Sequence, residues 1–419
     1  MSSRAFGWSL AEPTGLRTDL AGRSITVVMD ADEPWTPWEE AVVARFSNAT
    51  GIDVRRVAGS ANSSERIADY VAVLSSESEK YDAMMIDMVW PGMLADHAID
   101  LSDVAISADY FPAIIENNTV EARLIAIPWY SEAGHIFVRR DLLNRYGLDR
   151  PPETWSELEQ QSAIIQQGER SSGNQDFWGF VWQGLAYEGL TCSALEWQCS
   201  EGGGVIIESD GTVTVNNPAV RNALNRAAKW VGTISPPEVL GFAEDESCDV
   251  WQAGNAAFMR NWSYAWLMGQ EPTSPVRDRF EMIQMPRGDS QGASRASCVG
   301  GWGWMASRYS RNPEAAIEFC RYVTSLDVQR SFALERNLPP TIPVVFADPD
   351  VVAVNPFFPE LSESLITAVA RPSTVSKATY NDVSQAYSLA VNSVLAGKSE
   401  STIALANLEQ GLRRLMAPQ

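Results

Sequence analysis

The sequence predicts an α/β protein of two lobes, each a mainly parallel sheet flanked by helices. Three observations carry that expectation. The chain has 419 residues, more than one compact core usually accommodates. Short apolar runs alternate closely with amphipathic helical stretches, the pattern of strands joined by helices. The same alternation restarts past Pro128, with no internal repeat and no low-complexity linker.

Ile25–Asp30 reads as the first strand and Trp38–Asn48 has helical spacing. A strand over 52–58 follows, then a helix from Ser64 to Leu74 led by the cap-like Ser63 and Ser64. Tyr81–Asp87 is a third strand. In parallel sheets ligands settle at the carboxyl ends of strands. Asp30, Asp32 and Glu33 after the first strand, and Asp87 after the third, hold such positions.

Thr154 and Glu157 stand in capping-box spacing at the start of a helix. Pro218–Trp230 is a second helix of this half, and Ser247–Gly254 precedes a strand over 256–262. Asn312 and Pro313 mark an N-cap and a first helical residue. Pro359–Ala370 and Tyr380–Leu395 read as late helices. The expected lobes are 22–126 with 276–325, and 127–275 with 326–419.

The 32 basic and 53 acidic residues leave a net charge of −21. Such a field disfavours nucleic acid and anionic lipid surfaces as partners. The sequence contains no apolar run of membrane-spanning length. The residues up to Gly22 lack the apolar core of an export signal, which reads as a cytosolic protein or one whose signal has been removed. The two histidines, His97 and His135, and five cysteines show no metal-ligand spacing, so neither metal nor cofactor is expected. Cys192 and Cys199 share one helix, roughly 10 Å apart, too far for a disulfide. Buried free thiols are expected, with one disulfide among Cys248, Cys298 and Cys320 as the alternative.

Three of the 15 tryptophans, Trp129, Trp262 and Trp302, sit among glycines and hydrogen-bonding side chains. That mixture suits a ligand with a flat C–H face and a rim of hydroxyls, such as a pyranose. Trp302, flanked by Gly301 and Gly303, and Trp262 are the expected stacking platforms. Tyr264 and Trp266 read as core, as do Phe177, Trp178 and Trp182, and His135 as a satisfied strand residue. One of Trp129 and Tyr130 must point inward on its strand. Arg66 lies in a helix, where a solvated face competes with a binding role, and Asp87 also suits a local cap.

The run Ile127–Leu158 reads IPWYSEAGHIFVRRDLLNRYGLDRPPETWSEL. With 177–197, 251–266, 300–319 and ARPS at 370–373, it resembles the extracellular solute-binding proteins of carbohydrate ABC transporters, nearest to their trehalose- and maltose-binding branch. The ordered segments span Ser24 to Arg414. The resemblance implies a two-lobed periplasmic-binding-protein fold of type II-like form with a multi-segment hinge. It implies a monomer outside the cytoplasm, lipid-anchored in some precursors, that takes a small carbohydrate between its lobes and hands it to membrane permease subunits. A ligand drives closure only by binding the closed state better, by about 5.5 kcal/mol for a complete population switch.

The resemblance further implies that Glu33, Arg66, Asp87, Tyr130, Glu132, Trp262, Gly301, Trp302 and Arg371 contact sugar. Two positions depart from the family pattern: Glu132 stands where aspartate is usual, and Ser263 where proline is common. Both point to a ligand other than the best-known disaccharide, with trehalose, maltose, sucrose and glucosylglycerol as candidates. A glycoside hydrolase is the competing class, since Glu33, Asp87 and Glu132 supply carboxylates on paper. An open-groove scaffold for longer chains is the third.

Overall fold

A computed structural model describes residues 15–30, 36–60, 62–104, 110–290, 292–366 and 368–417. Its strands are β1 (Ser24–Met29), β2 (Asp53–Ala58), β3 (Ala83–Asp87), β4 (Thr119–Val120), β5 (Arg123–Leu124), β6 (Ile127–Ala133), β7 (His135–Arg139), β8 (Trp178–Val181), β9 (Ala256–Asn261), β10 (Phe280–Gln284) and β11 (Val299–Ala306). Two compact units emerge. One takes the described residues up to Ser131 with Gly300–Phe358, the other Glu132–Val299 with the described residues from Pro359 onward.

The first unit is built on a five-stranded sheet of order β2-β1-β3-β11-β6. β1 runs parallel to both β2 and β3, and β11 lies antiparallel to β3, pairing Trp302 with Asp87 and Ala306 with Ala83. All five residues of β3 are buried, which is why they read as a continuous apolar run ending in a carboxylate. The helix Thr36–Thr50 contributes buried Trp38, Val42 and Phe46 to the core. The helix Ser63–Ser75 is capped by Asn62, whose Oδ1 accepts from the amides of Ser64 and Glu65 at 2.9 and 3.2 Å. The cap is therefore Asn62, in place of the expected serines.

The second unit carries a sheet of order β10-β7-β9-β8. β10 and β9 both run antiparallel to β7, and β8 runs parallel to β9. Here the expectation of a mainly parallel sheet fails, because alternation of apolar runs with helices does not specify strand direction. Trp155, Trp182, Trp197 and Trp230 pack together, with ring centroids 5.0–6.2 Å apart. The helices Pro218–Trp230 and Tyr380–Leu395 have the expected bounds.

The unit boundaries correct the sequence reading in three places, the first being residues 127–131, which belong with the first unit. Residues 276–299 belong with the second unit, since β10 is hydrogen-bonded along β7. Residues 326–358 belong with the first, where Phe332 stacks on Trp129 at 4.7 Å and lies tilted against Trp38 at 4.6 Å.

Candidate functional site

In the first unit, β3 delivers Asp87 to its carboxyl end and β11 sets Trp302 directly across from it. The Asp87 carboxylate accepts the Val89 amide at 3.1 Å, so it caps the following turn, as a structural reading foresaw. The Trp302 ring is half-buried, with Trp90 edge-on at 5.3 Å. The Arg66 guanidinium lies 4.8 Å from the Trp302 centroid, a cation–π contact.

Arg66 is only 2% exposed, which overturns its solvated-face reading. Its Nε donates to Ser60 O at 2.7 Å and its Nη2 to Asp30 at 3.1 Å. Its Nη1 is buried without a hydrogen-bond partner among the described residues. Glu33 lies outside the described residues.

Gly301 has φ +135°, and a Cβ there would meet Tyr130 O at 2.4 Å. The glycine thus lets β11 lie close against the neighbouring strand as well as adopt that backbone. Trp129 and Tyr130 are both packed, 1% and 7% exposed, with Tyr130 5.1 Å from Trp129 and 5.6 Å from Phe332. The Trp129 side of that pair is core.

In the second unit, β9 ends where Trp262 begins, and the half-buried indole is held on several sides. Arg260 lies 4.2 Å from its ring centroid. Glu244 accepts its Nε1 at 3.2 Å, and the other Glu244 oxygen accepts the Tyr187 hydroxyl. Arg260 is wholly buried and forms a two-pronged pair with Glu196 at 2.9 and 2.6 Å, with Gln183 at 3.1 Å on its third nitrogen. Gly134 leaves room for that pair, since a Cβ there would lie 1.9 Å from Glu196.

Glu132 sits beside this cluster, 7% exposed, accepting the Ser263 hydroxyl at 3.1 Å. Burial raises its pKa to about 7 against the opposing pull of Ser263 and the Tyr264 amide. Arg371 belongs to another network of the same unit, donating to Glu188 at 2.7 Å and to Val299 O at 3.3 Å. Tyr380 and Ser384 also donate to Glu188. His135 is satisfied as expected, bonded to Ala133 O at 2.7 Å and to Ser364 at 3.1 Å.

The structure therefore groups Arg66, Asp87, Gly301 and Trp302 in one unit, and Glu132 and Trp262 in the other. Sequence reasoning missed Trp90, Tyr187, Glu196 and Glu244, which hold the platforms. Glu244 follows Ala243 at a helix start, where an acidic residue is expected for helix reasons alone. Nothing local marked it as a tryptophan's partner. Among the described residues no group of three or more histidine, cysteine or carboxylate side chains is placed to hold a metal ion.

Residues 33–330 match the family of bacterial extracellular solute-binding proteins. A Deinococcus radiodurans protein named as a probable ABC transporter-binding protein is 43% identical over 373 residues, covering 88% of each chain. The structure of maltose-bound T. maritima MalE3 has a TM-score of 0.87 at 30% identity, covering 94% of this chain and 99% of that one. An Agrobacterium vitis ABC transporter solute-binding protein with bound D-mannitol has a TM-score of 0.79 at 19% identity over 94% and 98% of the two chains. That last likeness is one of fold alone. The architecture is that of the two-lobed binding proteins.

Proposed function

The chain belongs to the bacterial extracellular solute-binding proteins, and from that membership we propose that it is the substrate-binding component of an ABC importer for a small glucoside or disaccharide. Trehalose, maltose, sucrose and glucosylglycerol are the candidate solutes, and membrane permease subunits the partners. The family's location supports a periplasmic or extracellular site of action, with a lipid anchor in the precursor and a monomeric mature form as parts of the same proposal. The maltose-bound relative and the D. radiodurans relative support this reading.

One observation carries it. Each unit presents a half-buried tryptophan whose ring is backed by a buried arginine, Arg66 at 4.8 Å from Trp302 and Arg260 at 4.2 Å from Trp262. The ring orientation is thus set before any ligand arrives, which limits the ordering cost of binding. Exposed indole suits the C–H face of a pyranose. Asp87, Glu132 and Arg371 supply acceptors and donors for hydroxyls, while Glu33, Tyr130 and Gly301 complete the proposed contact set.

The two departures from the family pattern touch each other, Ser263 donating to Glu132. The longer carboxylate is met by a hydroxyl that proline could not provide. That pairing supports a ligand whose hydroxyl pattern differs from the family's best-known disaccharide.

A binding role without catalysis is proposed. A hydrolase needs a general acid, and the raised pKa of Glu132 is a property such a group would have. Incubation with trehalose, maltose and sucrose separates the classes, because release of glucose at catalytic turnover would establish the hydrolase. For the importer reading, thermal melting is measured against the four glucosides, with D-mannitol as a polyol control. A dose-dependent rise with at least one glucoside is expected. A rise with D-mannitol and none with any glucoside would overturn the solute class.

A further inference from the structure

The Trp262 indole is held within its own unit by two side chains. Arg260 covers one ring face, its guanidinium carbon 4.2 Å from the centroid. Glu244 accepts the indole Nε1 at 3.2 Å. Asn261 links the same two residues a second time: its Oδ1 accepts the Trp262 amide at 2.8 Å, and its Nδ2 donates to Glu244 O at 3.1 Å. The backbones that carry the carboxylate and the ring are thereby kept in register. The second Glu244 oxygen accepts the Tyr187 hydroxyl, which braces the carboxylate.

These contacts act differently on the ring. The terminal torsion of a tryptophan is broad and roughly two-fold, so the indole has two orientations related by a flip. A cation is attracted equally to either face of an aromatic ring, and Arg260 does not choose between them. The Nε1 edge does, because a flip carries the N–H away from Glu244. A carboxylate is among the stronger acceptors for that N–H. An indole has one N–H and no acceptor, so its donor is engaged within the protein.

The local helix does not account for this placement. Glu244 opens the helix Glu244–Gln252, whose first turn also holds Asp245 and Glu246. Glu246 accepts the Ala243 amide at 2.8 Å and so serves the helix start. Asp245 is exposed and adds a further negative charge there. The Glu244 carboxylate turns instead to Trp262 and Tyr187.

From the sugar-binding role proposed for Trp262, we infer that Glu244 is a positioning residue for solute binding that selects one orientation of the indole. Trp262 then offers a solute at most one ring face and no hydrogen-bond donor. It recognises the C–H face, and the choice among hydroxyl patterns falls to other side chains.

The test compares Glu244→Gln, Glu244→Met and Asp245→Met in the full chain. Glutamine keeps an acceptor for the indole N–H, methionine keeps the bulk alone, and Asp245→Met removes a charge from the same helical turn. The Trp262 signal is isolated as the near-ultraviolet circular dichroism of each protein minus that of the same protein carrying Trp262→Phe. Affinity is read by calorimetric titration with trehalose, maltose, sucrose and glucosylglycerol. In Glu244→Met, most of the Trp262 band should be lost and binding should weaken about 3- to 10-fold. Glu244→Gln should rescue both, and Asp245→Met should leave both in place. An unchanged band or an unchanged affinity in Glu244→Met overturns the inference, as does an equal loss in Glu244→Gln or Asp245→Met. If the wild type binds none of the four solutes, the solute class falls, and the Trp262 band alone decides whether Glu244 positions the ring.

Discussion

The Ser263 hydroxyl donates to Glu132 at 3.1 Å inside the second unit, and both residues are buried. Burial raises the Glu132 carboxyl from 4.5 to about 7. Between those values the folded chain holds a proton that the unfolded chain has lost. Its stabilising contribution is complete below 4.5 and disappears as pH rises through 7. Glu39 is raised in the same direction, to about 7, so a comparison with Glu132→Gln isolates one group. The variant should match the wild type near pH 5 and exceed it by about 3 kcal/mol near pH 8, read from denaturant midpoints. A constant difference across that range would refute the assignment.

The serine's contribution should itself depend on pH. Donation to an ionised carboxylate is worth about 1.5–3 kcal/mol and to a neutral group about 1 kcal/mol. Ser263→Ala is therefore expected to cost more at pH 8 than at pH 5. Combined with Glu132→Gln, the two effects should be non-additive by about 1 kcal/mol. Additive effects at both pH values would mean that the two side chains do not act as a pair.

Trp302 and Trp304 lie on one strand, two residues apart, yet face different demands. Trp302 is half-buried beside Arg66, whereas Trp304 is fully buried between Trp129 and Phe319. Trp302→Ala should lower affinity for the bound glucoside about 10- to 100-fold with little change in melting temperature. Trp304→Ala should cost about 3–5 kcal/mol of stability. Calorimetric titration showing unchanged affinity for Trp302→Ala would remove that residue from the site.

Strand β3 was legible because a fully buried strand reads as a continuous apolar run, and Asp87 because it ends that run. The helix Pro218–Trp230 was legible because an asparagine cap precedes a proline at the first helical position. Strand direction in the second sheet was not legible, since β7 pairs with segments far away in sequence. Nor was the placement of Phe332, whose partners Trp38 and Trp129 are equally remote. Arg260 stands two residues before Trp262 in the sequence, a spacing that does not reveal its role. Its partner Glu196 stands 64 residues away on an apolar helix, and no local pattern connects them.

That pair gives a final expectation. Neither Arg260 nor Glu196 retains meaningful exposure, and Glu196 also accepts the Cys298 amide at 3.0 Å. Removing one member leaves a buried charge without its partner, at a cost of about 3–5 kcal/mol. Glu196→Ala strands the Arg260 guanidinium and the Cys298 amide together, so it should be more damaging than Arg260→Met. The double variant Arg260→Met with Glu196→Leu removes both charges, and should recover part of the loss. Because Arg260 also backs the Trp262 ring, that recovery should return stability without returning solute affinity. Melting curves and calorimetric titrations on the three variants check both halves. Full return of affinity in the double variant would show that the cation beneath Trp262 is dispensable for binding.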